Sequence, residues 1–100
     1  MYLVYGYAQL FFPHSSSLKE KRKVIHSIIA RIRKRFNVSI SEVEHQDLWQ
    51  RSTIGFSAIG SDYPELQLIT NAVKETFYNY AGDVEIIALK HEIQKIDMTS

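Results

Sequence analysis

The chain has no cysteine, and only two prolines and four glycines in 100 residues. Without thiols there is no disulfide, no thiolate nucleophile and no cysteine-built zinc or iron–sulfur centre. That composition fits a cytoplasmic location, which is the expectation. Long apolar runs are missing too. None approaches the ~20 residues needed to cross a bilayer, so no membrane partner is expected. Residues 1–8 carry no basic leader of the secretory kind. Glycine-rich phosphate loops, nucleophile motifs and paired carboxylates at catalytic spacing are absent as well. No catalytic residue, cofactor or metal is therefore assigned, and an enzyme ranks last among the functional classes.

What remains is a chain that is 45% hydrophobic, enough for one core and one domain. The domain is expected over residues 1–96, with 97–100 as a frayed tail. The net charge of +1 conceals a strong asymmetry. Residues 1–36 hold eight basic side chains against Glu20 alone, a local charge of +7, while residues 37–100 hold four basic and ten acidic ones, or −6. Such a chain can attract phosphate to one side or pair with a second copy.

Residues 3–12 alternate Val4, Gly6, Ala8, Leu10 and Phe12 with Leu3, Tyr5, Tyr7, Gln9 and Phe11. Both sets are largely apolar, which predicts an interior strand ended by Pro13. Ser17-Leu18-Lys19-Glu20 is a capping box opening a helix. Its stripe is Leu18, Val24, Ile25, Ile28, Ile29, Ile32 and Phe36. Arg33, Lys34 and Arg35 suit the helix C-terminus, whereas Lys19 and Lys21 oppose the dipole near its start, which favours a partner outside the helix. Residues 38–44 form a second strand whose phase slips near Ser41 or Glu42, predicting a bulge. A third strand covers 52–60. Asp62, Pro64 and Glu65 open a second helix with the stripe Leu66, Ile69, Val73, Phe77 and Tyr80, stopped by Gly82. Residues 84–93 supply the last strand. The βαββαβ order predicts an α+β, ferredoxin-like fold, a four-stranded antiparallel sheet with both helices on one face. Alternation alone leaves either side of the first strand open. Small residues at Gly6 and Ala8 suit close helix packing, which would place Tyr5, Tyr7 and Phe11 on the bare face.

Three regions carry candidate function. On the first helix, Lys19, Lys23 and Lys34 point away from the apolar stripe, with Arg22, Arg31 and Arg33 on its shoulders. This set suits phosphate contact with structured RNA or a ribosomal surface. The bare aromatic face suits a subunit interface in a homo-oligomer or another protein contact, ahead of base stacking, because no aromatic RNA signature is present. The third region is Glu44, His45, Gln46, Asp47, Trp49 and Arg51. Here Asp47 is expected to cap a turn, His45 to bond across it, Trp49 to pack its ring, and Arg51 to pair with Glu42, Glu44 or Asp47. Such a rigid loop is also a docking site. A metal-dependent enzyme centred on His45 is the remote alternative, and it would need His14 or His91 brought in by folding.

Three segments together, Ser17 to Arg22, Arg35-Phe36-Asn37-Val38-Ser39 and Glu42 to Arg51, resemble the YlxP-like family of small bacterial proteins in order and spacing. The likeness runs from the first strand to the last. It implies a ferredoxin-like fold and supplies no catalytic residue or cofactor. Family genes lie, in some bacteria, among translation-initiation and ribosome-maturation genes, which implies RNA or ribosome work. Pro13-His14 departs from the more glycine-like turn expected after the first strand.

Overall fold

A computed structural model describes residues 1–99. The elements are β1 (Tyr2–Phe11), α1 (Leu18–Arg35), β2 (Ser39–Glu44), β3 (Arg51–Gly60), α2 (Tyr63–Tyr78) and β4 (Glu85–Lys95). The sheet order is β2-β3-β1-β4 with every neighbouring pair antiparallel. This is the ferredoxin-like α+β arrangement. Its longest apolar strand, β1, is interior, where both of its edges find ladder partners.

Local chemistry sets the helix starts. The Glu20 amide donates to Ser17 Oγ at 3.1 Å, and the Glu20 carboxylate turns back to the Ser16 amide at 3.0 Å. At α2 the Glu65 amide donates to Asp62 Oδ1 at 2.9 Å, with Pro64 in the first turn. Both apolar stripes then share one face of the sheet. Ile25, Ile28 and Ile32 of α1 and Leu66, Ile69, Val73 and Phe77 of α2 are buried in one cluster with Val4, Ala8 and Leu10 of β1, Ile40 of β2, and Ile54, Phe56 and Ala58 of β3.

That burial decides the question left open by alternation: Val4, Ala8 and Leu10 face the helices. Tyr5 and Tyr7 are exposed on the other side, and Phe11 is half-buried there. The β2 bulge falls at Val43, one residue beyond the expected place, because Glu42 pairs with Ile54 and Glu44 with Thr53. A second irregularity, in β4 opposite Gln9 and Leu10, was not legible in the sequence. Helix α2 also ends earlier than the stop expected at Gly82. It closes at Tyr78, capped by the Asn79 amide on Glu75 O at 2.9 Å, and Gly82 follows in a turn without positive φ. Tyr80 still packs against the core from beyond the helix end. The chain end is tied down through the Ile96 amide on Met1 O at 2.8 Å, and residues 97–99 have no regular structure. Ser100, part of the expected tail, lies outside the described residues.

Candidate functional site

The most unusual feature of the molecule is a lysine in the core. Lys21 stands at the i−4, i−7 and i−11 positions from Ile25, Ile28 and Ile32, so helix geometry aims it with them toward the sheet. Its side chain is completely buried. The ammonium donates to Glu42 Oε2 at 2.8 Å, to His45 O at 2.8 Å and to Arg51 O at 3.1 Å, with Gln46 O at 3.5 Å on the fringe. Three donors thus meet three good acceptors, which a buried ammonium requires. Glu42 Oε2 also accepts from Ser52 Oγ at 2.7 Å.

Lysine 21 thereby ties both ends of the β2–β3 connection to the first turns of α1. Within the connection, His45 has φ 64°, the left-handed region, and the Leu48 amide returns to His45 O at 3.1 Å. The Phe12 amide donates to Gln50 O at 2.9 Å, and Gln50 Nε2 to Ser15 O at 3.3 Å. The loop backbone is thus bonded to α1 and to the segment before it, through groups other than those expected from the sequence. Trp49 does not bury its ring; it is 56% exposed beside Leu48 at 47%. His45 closes the turn through its carbonyl. Asp47 and Arg51 form no ion pair among the described residues, and of the three carboxylates expected as alternatives for Arg51, that of Glu42 belongs to Lys21. Glu44, Gln46, Asp47 and Arg51 are exposed.

The expected outside partner for Lys21 is also corrected: its partner is inside. The signal was available in its phase with Ile25, Ile28 and Ile32, obscured by the basic residues beside it.

On the outer side of α1, Lys19, Arg22, Lys23, Arg31, Arg33 and Lys34 are exposed. Among the described residues none has a carboxylate at ion-pair distance. Two are partly committed: Arg33 Nη2 donates to Ile40 O at 2.9 Å, and Arg31 lies 5.4 Å from the centre of the Tyr80 ring. Lys19, Arg22, Lys23 and Lys34 have no side-chain hydrogen bond or ion pair among the described residues. At 1.5 Å per residue the row from Lys19 to Lys34 is about 22 Å long. A hollow of about 420 Å³ adjoins it, lined by Phe12, His14, Lys23, Ser27, Tyr80 and Asp83 among others.

On the opposite face of the molecule, Tyr5, Tyr7, Val43 and Ile59 form an exposed apolar surface. Val43 sits over Gly55, which is paired with Tyr7. The Tyr5 hydroxyl donates to Glu92, and that bond raises its pKa above 10.0, with burial and the carboxylate charge acting in the same sense. The buried Thr53 hydroxyl, on the same side, has no protein partner. Among the described residues no three histidine, aspartate or glutamate side chains gather where a metal would bind, so His14 and His91 do not complete a site around His45.

Fold and site together define a two-layer α+β protein with a buried lysine clamp, a basic helix and a bare aromatic sheet face. Residues 4–91 match a family described as "Protein of unknown function (DUF503)", and the chain belongs to that family. It is 51% identical over 47 residues to the uncharacterized protein YlxP of Bacillus subtilis (strain 168), a match spanning 47% of this chain and 51% of the relative. Matching only about half of that relative's length, it supports the YlxP-like resemblance read from the sequence. Among solved structures, it is similar to SnoaB, a cofactor-independent oxygenase from Streptomyces nogalater, with TM-score 0.59 and 9% identity, covering 99% of this chain and 97% of that one. It is equally similar to the de novo designed protein Foldit4, with TM-score 0.59 and 8% identity, covering 97% of this chain and 100% of the other. At such identities the likeness shows the fold alone.

Proposed function

We propose that this protein is a non-enzymatic accessory factor that binds structured RNA, as on a ribosomal assembly, through the outer face of α1. The observation carrying the reading is the row of exposed cations from Lys19 to Lys34, unpaired by any carboxylate among the described residues. Glu20, the one acid of the segment, is engaged with Ser16 at the helix start. Surface cations are commonly balanced by neighbouring acids, and here that balance is displaced to the rest of the chain. Backbone phosphates at A-form spacing are a suitable complement, since contact with them needs no base-reading geometry. RNA work of this kind implies a cytoplasmic location, which cell fractionation checks.

Filter binding of the full chain to ribosomal RNA across a salt series tests the reading. Affinity should fall steeply with salt, and the variant K19Q/K23Q/K34Q should bind more weakly with a log–log slope shallower by about 2 to 3. Negligible binding at low salt, or binding indifferent to both salt and the three charges, rejects it.

The sheet face favours a second, compatible reading: self-association with another copy of this chain. Strands spaced about 4.8 Å apart and ten residues long present roughly 600 Å² of flat sheet before side-chain relief, near the ~800 Å² per partner of a standard interface. Lys90 and Glu92, paired respectively with Tyr7 and Tyr5 on this face, supply both signs of charge to a two-fold contact. Such a dimer leaves both α1 helices outward. Sedimentation should give a dimer that Y7E dissociates; a monomer at all concentrations overturns it.

A further inference from the structure

The geometry points to Trp49 as a stacking platform for an unpaired nucleotide of the RNA whose phosphates lie along α1, an inference that rests on the RNA-binding reading above. The argument begins with what the Lys21 clamp accomplishes. A buried ammonium is an expensive device for filling core volume, since a methionine would occupy similar space without desolvating a charge. What the lysine adds is a fixed backbone at His45 and Arg51, the two ends of the segment that carries Trp49. The fold thus ties the loop backbone at both ends and leaves its largest side chain 56% exposed. Among the described residues the indole N–H has no protein acceptor.

The loop adjoins the cationic helix. Gln50 bonds to Ser15 and Phe12, just before α1, and Lys21 connects the loop to its first turn. A surface hollow of about 310 Å³ lies along Asp47 to Arg51, with Trp49 in its wall. Asp47 and Arg51 share that wall, a carboxylate for the amino edge of a base and, with no ion pair among the described residues, a guanidinium for a phosphate. A pre-positioned aromatic plane, edge-reading polar groups and adjacent cations are the requirements for holding a single-stranded base. A purely apolar protein pocket would leave Asp47 and Arg51 to be desolvated, which favours RNA.

Trp49 is the only tryptophan, so the full chain carries its own fluorescent reporter. Two RNA probes suffice: a hairpin with a single-nucleotide bulge, and the same hairpin without it. The bulged probe should bind more tightly and quench Trp49 emission. W49A should lose the bulge preference, about tenfold, while binding the plain hairpin as before. W49F should retain part of it. The triple lysine variant should instead weaken both probes equally.

Binding of both probes with equal affinity and no change in emission overturns the stacking role while leaving RNA binding intact. Equal loss on both probes in W49A, with far-UV circular dichroism unchanged, likewise overturns it by assigning Trp49 to loop shape. Emission that shifts only in a ribonuclease-insensitive complex with protein also overturns it. Failure of the parent chain to bind either probe removes both readings.

Discussion

The Lys21 ammonium lies 2.8 Å from Glu42 Oε2, in the one ion pair found among the described residues, and neither side chain is more than 14% exposed. The same ammonium also holds the His45 and Arg51 carbonyls at the two ends of the β2–β3 loop. K21M should destabilise the fold by about 3 kcal/mol in urea unfolding, because the part-buried Glu42 carboxylate loses its counter-charge while two loop carbonyls lose a donor. K21M/E42L should recover only part of that loss, since the carbonyls of His45 and Arg51 still lack the ammonium that each accepts from, and Ser52 loses its acceptor. A double-mutant cycle measures the remainder.

His45 contributes its backbone conformation and its carbonyl. At φ 64° a side chain with a branched Cβ is strained, and glycine is not. H45G should therefore be neutral or stabilising by up to ~1 kcal/mol, and H45I destabilising by about 1–2 kcal/mol, in thermal melts. A large loss in H45G would point instead to the imidazole.

Two glycines should respond in opposite ways. A methyl group on Gly6 would meet Lys90 O, Phe56 Cζ at 2.8 Å and His91 Cβ at 2.9 Å. β1 has no room to retreat between two strands, so G6A should cost about 2–3 kcal/mol. Gly82 has open space and no positive φ. G82A should leave stability unchanged or raise it by about 0.5 kcal/mol through the unfolded chain, as denaturant midpoints would show.

Burial lowers the pKa of His91 below 6.5, and the positive charge of Lys74 acts in the same direction. Above 6.5 both folded and unfolded states hold the imidazole neutral, so it adds no pH dependence. As the pH falls below 6.5 the unfolded chain takes up the proton first, and stability declines until the folded-state pKa is passed. H91Q should flatten this decline in stability measured from pH 7.5 to 5. An unchanged profile would refute the assignment.

Glu20 has its pKa lowered by the backbone amide of Ser16, and then by the Ser16 hydroxyl. The stabilisation is fully present above the ordinary value of 4.5 and disappears as the pH falls through the folded value. An NMR titration should place the Glu20 midpoint below 4.5, and S16A should move it partly back while leaving the amide bond in place.

The candidate surfaces were unequally legible before folding. The helix-1 cations were readable because a 3.6-residue period separates Lys19, Lys23 and Lys34 from the isoleucines, and they do point outward. The content of the 44–51 segment was readable, and its roles were not. Trp49 was expected to pack and does not, because the loop is held from beneath by Lys21 and so does not depend on the indole.

Local spacing by itself determined the six elements, their two caps, the interior place of β1 and the common shelter of both helix stripes. These follow from periodicity and turn chemistry, which act over a few residues. Tertiary structure alone decided that Tyr5 and Tyr7 look away from the helices, and which groups meet Lys21 on its inward face, carbonyls up to 30 residues away among them. Each depends on which distant groups arrive to satisfy a side chain, and burying a charge is favourable only after its partners are in place.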